Sequence, residues 1–323
     1  MAVKIIDVAK RANVGCGTVS RVVNGDPHVS EKTRQKVNKV IQELGYLPNN
    51  LGKRLRTNKN NVVCVTVPVI GHSFFNVLIE NLELELSKRG YNMLLIASQG
   101  NIEKERNILN KIRNKEVDGA IFVTHYSHPE NEFKNLPIVS IDRHIRSDSP
   151  CVTSNNYEAT KEAINYLISK GAKRIAYLGS KPTVDSEVSL RLKGYCDVVD
   201  DFGIERIIVN EQITHGDEQK LVDKLLNNHK DIDGVFVAGY SLCECLLATM
   251  KIRNINCPND IQVVSYDGNF NKYDPNAPTT MSQPLADMAV CCADLINKLI
   301  SGDTNIELKH IFKAKLIIGK TTK

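Results

Sequence analysis

The apolar positions of the chain change rhythm near residue 60. Before it they recur at helical spacing in short blocks: Ile5, Val8, Ala9 and Ala12, then Val19, Val22 and Val23, then Val37, Val40, Ile41 and Leu44. This predicts helices over 5–12, 18–24 and 31–44, with a break at Asn13-Val14-Gly15. Ser30 stands where the third helix needs an N-cap, and Gly45 where it needs a C′ residue. Two short helices across a tight turn, buttressed by a third, make a helix-turn-helix module. Within it, "VGCG" (14–17) puts two glycines around Cys16. A phosphate-cradling glycine loop follows a strand inside a βαβ unit. Here a helix precedes the glycines, so they mark the start of the second helix.

Residues 48–59, "PNNLGKRLRTNK", are polar and basic with only Leu51 and Leu55 apolar, a linker or a helix that forms only on a partner. From residue 61 continuous apolar runs alternate with amphipathic segments. Strands are expected at 62–68, 91–97, 117–123, 137–142, 174–179, 206–210, 233–238 and 261–267, and helices at 75–90, 103–115, 157–170, 187–202, 217–228 and 241–253. A last helix (285–301) and strands near 306–318 complete the pattern. Two successive βαβ series specify two doubly wound parallel sheets, each covered by helices on both faces. Ligands of such sheets bind beyond the carboxyl ends of the strands. That singles out Asp142, Gly179, Gly239-Tyr240 and Asp267.

Composition adds three constraints. An apolar share of 42% with 24% charged residues fits a globular core, and no stretch reaches the roughly 20 apolar residues that span a bilayer. The N-terminal segment is charged in its first turns and lacks an apolar signal region, so the chain is expected in the cytoplasm. Nine cysteines without C-x-x-C spacing are expected to be buried, reduced thiols, and no metal site is expected. Charge is uneven: residues 1–60 carry a net +8, against −3 for the remainder. A basic block on a mildly acidic body points to a polyanion partner for the block alone. His125, His128 and His144 cluster in strand-end loops without a Ser/His/Asp arrangement or metal spacing, so no catalysis is expected.

"DVAKRANV..GTVSRVVNG...VSEKTRQKVNKVIQELGYLPNNLGKRLRTNK", followed in order by "IDR", "SNN", "RxxGY" and "SYDG", resembles the lactose/galactose repressor (LacI/GalR) family of bacterial transcription factors over essentially the whole chain. The resemblance implies an all-α helix-turn-helix headpiece (1–47), a hinge helix (48–60) and a periplasmic-binding-protein-like α/β core (61–323). In the core, an N-subdomain would take about 61–155 plus 285–312, and a C-subdomain about 156–284 plus 313–320. It puts Cys16, Gly17 and Arg21 at base-facing positions, with Arg21 able to match guanine through its guanidinium fork. Thr18, Ser20, Asn24, Ser30 and Thr33 fall on phosphate-contacting positions, although capping and turn chemistry would also explain Thr18, Ser20 and Ser30. His28 lies in the loop before the third helix, within reach of backbone or base. Asn49 opens the hinge segment and Leu55 falls on the leucine that wedges into the minor groove. Gly52 stands where the family usually has alanine, which predicts a hinge that orders less readily.

In the core the resemblance puts Asp142, Arg191 and Asp267 in an effector cleft, with Phe74 stacking on the ligand. Gly239-Tyr240 replaces the usual Asn-Asp, so Tyr240 would supply a ring face and a hydroxyl. The implied partners are a palindromic operator DNA, a second copy of the chain through helices 75–89 and 285–301, and a sugar or sugar phosphate, with no cofactor and no membrane. A family member answering to a nucleobase, a nucleoside or a phosphorylated carrier protein is the alternative. The segment 288–298 lacks the arginines of the carrier-binding branch.

Overall fold

A computed structural model of the chain describes residues 3–46, 60–124, 129–145, 147–184, 186–213, 216–268 and 274–323. The expected hinge helix with Asn49, Gly52 and Leu55, and the loop histidines His125 and His128, lie outside them. The chain divides into two compact units, 1–59 and 60–323.

In the first unit, α1 (Ile5–Ala12), α2 (Cys16–Val23) and α3 (Glu31–Leu44) bring their apolar stripes together. Val8, Ala9, Ala12, Val19, Val22, Val37 and Val40 close a small core with Tyr46. Ser30 caps α3 by accepting the Thr33 amide, and Gly45 ends it at φ +60°, where a Cβ would be strained. Helix α2 begins two residues earlier than expected: Gly15 is its N-cap and Gly17 lies inside it. Backbone hydrogen bonds from Thr18 and Val19 to the Gly15 carbonyl hold that first turn without any side-chain cap.

The second unit holds two six-stranded sheets. Its elements begin with β1 (Val62–Val67), α4 (Ser73–Lys88), β2 (Asn92–Ala97), α5 (Ile102–Arg113), β3 (Gly119–Phe122), β4 (Ile138–Ile141), β5 (Cys151–Ser154), α6 (Asn156–Ser169) and β6 (Ile175–Ser180). There follow α7 (Leu190–Asp201), β7 (Ile207–Glu211), α8 (Glu218–Asn228), β8 (Gly234–Val237), α9 (Tyr240–Ile252), β9 (Gln262–Tyr266), β10 (Thr279–Ser282), α10 (Leu285–Ile300), β11 (Lys309–Phe312) and β12 (Lys315–Ile317). The first sheet is parallel throughout in the order β11-β5-β4-β3-β1-β2. The second runs β12-β10-β9-β8-β6-β7, parallel except for β12. Helices α4 and α10 cover one face of the first sheet, and Ile108, Leu109 and Ile112 of α5 the other. In the second sheet α8 and α9 cover one face, α6 and α7 the other.

Two strands, β5 and β10, fall where the apolar pattern predicts none. Both are four residues long and rich in hydroxyls ("CVTS", "TTMS"), so each is buried by its neighbours rather than by its own apolarity. They are also the strands from which the chain leaves one sheet for the other. It crosses after β5 at Ser154–Asn156, after β10 at Ser282–Pro284, and between β11 and β12 at Lys313–Ala314. The first and third crossings are stitched together: the Asn155 amide donates to the Phe312 carbonyl (2.9 Å), and the Ala314 amide to Asn155 Oδ1 (2.7 Å).

Close packing of α6 on α7 depends on Gly194. A Cβ there would stand 2.6 Å from the Tyr157 carbonyl oxygen. Gly194→Ala is therefore expected to destabilise the unit by about 1–3 kcal/mol, the usual cost of overpacking. A calorimetric melt should show this as a drop of several degrees, and an unchanged melt would contradict the packing described. All nine cysteines are free thiols, but only Cys64, Cys151, Cys243 and Cys292 are buried; Cys196, Cys245, Cys257 and Cys291 are half-buried, and Cys16 is exposed because α2 turns its first residue outward.

Candidate functional site

Each unit presents one candidate surface. On α2, Val19 and Val22 point into the core, while Cys16, Gly17 and Arg21 are exposed and Thr18 and Ser20 half-buried. Arg21 keeps 69% of its side chain exposed, 4.0 Å from Asp26. Asp26 is the hub of the following loop. Its Oδ1 accepts the His28 amide (2.9 Å) and faces the His28 ring nitrogen (3.0 Å). The backbone and ring donors of His28 hold the Asp26 carboxyl below its usual range, with Arg21 adding to the effect. Asn24 Nδ2 donates to the Ser20 carbonyl (2.7 Å), and the Ser30 and Thr33 hydroxyls meet at 2.9 Å. The polar residues expected at phosphates thus also fix the turns around α2. Cys16 stands apart from these local bonds, and Arg21 meets them only through its long, exposed contact with Asp26.

In the second unit a cleft of about 320 Å³ opens at the carboxyl ends of β1, β4, β6, β8 and β9. Asp142, Arg191, Asp267 and Phe74 all line it. Asp142 and Asp267, each just past a strand end, sit in the left-handed region at φ +61° and +59°. Such backbone is uncommon outside glycine and clusters at functional sites, and aspartate tolerates it through its short polar side chain. Asp142 Oδ1 accepts the Thr153 hydroxyl at 2.7 Å. Burial pushes the Asp142 carboxyl up to about 6, against the pull of the Arg191 guanidinium and the Thr153 hydroxyl.

Arg191 is 3% exposed and is held from three sides. Nε donates to Asn156 Oδ1 (2.7 Å), Nη1 donates to the Ala238 carbonyl (2.8 Å), and the guanidinium lies 3.6 Å over the Tyr266 ring. Asp267 Oδ2 stands 3.6 Å from Nη1, and Gln283 Nε2 donates to Asp267 Oδ1 at 2.5 Å. Asn156 in turn donates to the Thr153 hydroxyl (3.3 Å) and the Ser154 carbonyl (3.1 Å). One polar chain therefore runs from Asp142 through Thr153, Asn156 and Arg191 to Asp267 and Gln283. It passes through two of the three crossings between the sheets. Glu187 adds a direct tie: its Oε1 faces His144 Nε2 (3.1 Å) and accepts from Lys309 Nζ (2.8 Å), and its amide donates to the Asp142 carbonyl (2.9 Å).

The arrangement suits a neutral, many-hydroxyl ligand. Carboxylates accept its O–H groups, and the remaining Arg191 N–H donors reach neighbouring oxygens. Phe74 and Phe75 both line the cleft while packing in the hydrophobic core, their ring centroids 5.3 Å apart. Tyr240 is not among the lining residues, although Gly239, Ser241 and Leu242 are. Its ring lies against Gly268, 3.0 Å from where a Cβ there would stand. Thr153, Gln283 and Glu187 are neighbours of these groups that residue patterns did not single out, while Asn156 belongs to the "SNN" element. Among the described residues no group of His, Cys, Asp or Glu is placed to hold a metal ion, and no helix is long and apolar enough to cross a membrane.

Comparison with known proteins agrees with both halves. Residues 4–49 match the profile of "bacterial regulatory proteins, lacI family", and residues 60–296 that of "periplasmic binding proteins and sugar binding domain of LacI family". A ribose operon repressor of Halalkalibacterium halodurans is 31% identical over 323 residues, covering 99% of this chain and 97% of that protein. A sucrose operon repressor of Streptococcus mutans is 33% identical over 306 residues, covering 93% of each. The solved lac repressor dimer bound to operator and an anti-inducer superposes with a TM-score of 0.86 over 99% of each chain, at 21% identity, a likeness of fold. With both profiles matched and identity above 30% along nearly the full length, this chain belongs to the lacI family of bacterial regulatory proteins.

Proposed function

We propose that the chain is a cytoplasmic transcriptional repressor of a carbohydrate-utilisation operon, a homodimer with no catalytic activity of its own. Residues 1–47 read a palindromic operator, 48–60 form the hinge on DNA, and 61–323 bind a sugar and dimerise. The ribose and sucrose operon repressors among its relatives support the sugar class. The observation that carries the proposal is the polar chain from Asp142 to Gln283. A ligand that engages Asp142 on one side and Arg191 and Asp267 on the other acts on two crossings at once, and so on the angle between the two sheets. A sugar that fits one angle better shifts the population toward it, and a hinge that forms only at the other then loses its hold on DNA. Coupling of this kind is reciprocal: operator weakens sugar binding by the factor by which sugar weakens operator binding. Selection of the full chain against a randomised duplex pool should enrich a two-fold symmetric sequence. Enrichment of no symmetric sequence would contradict the proposal.

The pH dependence follows from Asp142. Its native carboxyl titrates at about 6, above the ordinary 3.8, so the native state holds the extra proton between these values. Stability should therefore fall as pH rises from about 4 to about 6 and level off above that. Sugar binding should show the opposite trend, because a donated hydroxyl needs the ionised carboxylate. Affinity is expected to be roughly tenfold weaker at pH 5 than at pH 7. Calorimetric titration of Asp142→Asn at both pH values should show that difference abolished. Persistence of the full difference would assign it to another group.

A further inference from the structure

Beside the effector cleft lies a second chamber of about 400 Å³, which shares with it the wall formed by Ser180–Val184, Val188 and Ala238. It sits at the carboxyl ends of β6 and β7, where an open sheet of this kind takes its ligands. Two polar groups line it without partners among the described residues. One is Asn210 Oδ1, a fully buried acceptor. The other is the hydroxyl of Tyr177, a residue 3% exposed overall, which has no hydrogen bond to the described residues. Buried polar groups are almost always satisfied, and those left open in a cavity call for a water or a ligand.

The position of the tyrosine is set by the strand itself. Tyr177 and Gly179 point to the same face of β6, and a Cβ at 179 would stand 2.6 Å from Tyr177 Cε1 and 3.0 Å from its hydroxyl oxygen. The absent side chain lets the ring lie along the strand and carry its hydroxyl to the strand end. Tyr195 and Phe236 clamp the rest of the ring, with centroids 5.6 and 5.9 Å away. Leu192 and Val188 add apolar surface, and Lys181 is the one charged residue of the lining. Lys181 apart, the wall is uncharged, and the open acceptor Asn210 Oδ1 pairs with a donated hydroxyl and not with the oxygens of a phosphate or a carboxylate, so the lining suits the amphipathic ring of a sugar.

We propose that this chamber is a second sugar subsite, and that the effector is a disaccharide or longer glycoside. One unit lies against Asp142, Arg191 and Asp267, and the next against Tyr177 and Asn210. The inference rests on the sugar-effector reading of the cleft and extends it to the size of the ligand. In the bound state Asn210 Oδ1 accepts one hydroxyl of the second unit, and the Tyr177 hydroxyl exchanges a hydrogen bond with another.

The test is calorimetric titration of the full chain with sucrose, cellobiose and maltose, and with glucose, fructose and ribose. At least one disaccharide should bind roughly tenfold or more tighter than either of its component sugars. Tyr177→Phe, which removes a single oxygen and keeps the ring contacts, should weaken that disaccharide roughly three- to tenfold and leave the monosaccharides unchanged. Asn210→Leu should do the same. A monosaccharide binding as tightly as every disaccharide would overturn the second subsite and leave the sugar reading intact. Equal weakening of both classes by the variants, or of neither, would also overturn it. Binding of none of the six would overturn the sugar reading, and the subsite with it.

Discussion

In an Arg191→Met chain, sugar no longer alters operator affinity, while operator binding itself persists. This expected result follows from what the guanidinium holds. It is the middle of the polar chain, donating to Asn156 and Ala238 and facing Asp267, all but excluded from water. Removing it takes charge-assisted donors from the ligand, each worth about 1.5–3 kcal/mol. It also leaves the Asp267 carboxyl buried beside apolar sulfur, and breaking a buried pair by removing one partner costs about 3–5 kcal/mol. Sugar affinity should fall by more than about a hundredfold, and the core should melt roughly 10 °C lower. Arg191→Lys keeps the charge and loses the planar fork, so it should recover stability better than affinity. Calorimetric titration and melting of both variants separate the two effects. Wild-type sugar response in Arg191→Met would remove the residue from the coupling.

Arg21→Ala should have the converse effect, loss of operator binding with sugar binding untouched. Arg21 is the exposed residue of α2 with the reach and donor geometry for a guanine edge. Its contact with Asp26 at 4.0 Å is exposed and of a kind worth little, so it offers small resistance to turning toward DNA. A base-reading arginine contributes about 1–3 kcal/mol per half-site. A two-fold dimer loses it twice, for an expected drop on the order of a hundredfold or more. Anisotropy titrations on the selected duplex would measure it. Arg21→Lys should restore part of the affinity but little of the preference at the contacted base. A variant that binds all sequences equally more weakly, with the same base preference as wild type, would show Arg21 to be a phosphate contact.

The apolar runs of β1, β4, β6, β8 and β9 were legible because parallel strands buried on both faces read as continuous hydrophobic stretches. With them came the strand-end residues Asp142 and Asp267, and the family resemblance added Arg191. The short hydroxyl-rich strands β5 and β10 carry no such signal, since their burial comes from neighbours far away in sequence. The crossings follow directly from those strands, so the placement of Thr153 and Gln283 was hidden for the same reason, and Asn156 was legible only as part of the "SNN" element. Asn156 and Arg191 are 35 residues apart and meet only because α7 packs closely on α6. Tyr240 had a legible place at a strand end, yet its ring turns against Gly268 rather than into the cleft lining. In the first unit the helices were plain from their stripes. What spacing could not show was that Asn24 and Thr33 would satisfy Ser20 and Ser30 locally, leaving Arg21, held only by its long contact with Asp26, as the exposed charged donor of α2.

A sugar in the cleft should loosen the chain's grip on DNA. The most direct measurement is a single anisotropy titration of the full chain on its selected palindromic duplex, repeated with saturating sugar and with Arg191→Met. Binding should be tight without sugar, at least about tenfold weaker with it, and the same under both conditions for the variant. Operator affinity that is the same with and without a sugar shown by calorimetry to occupy the cleft would contradict it.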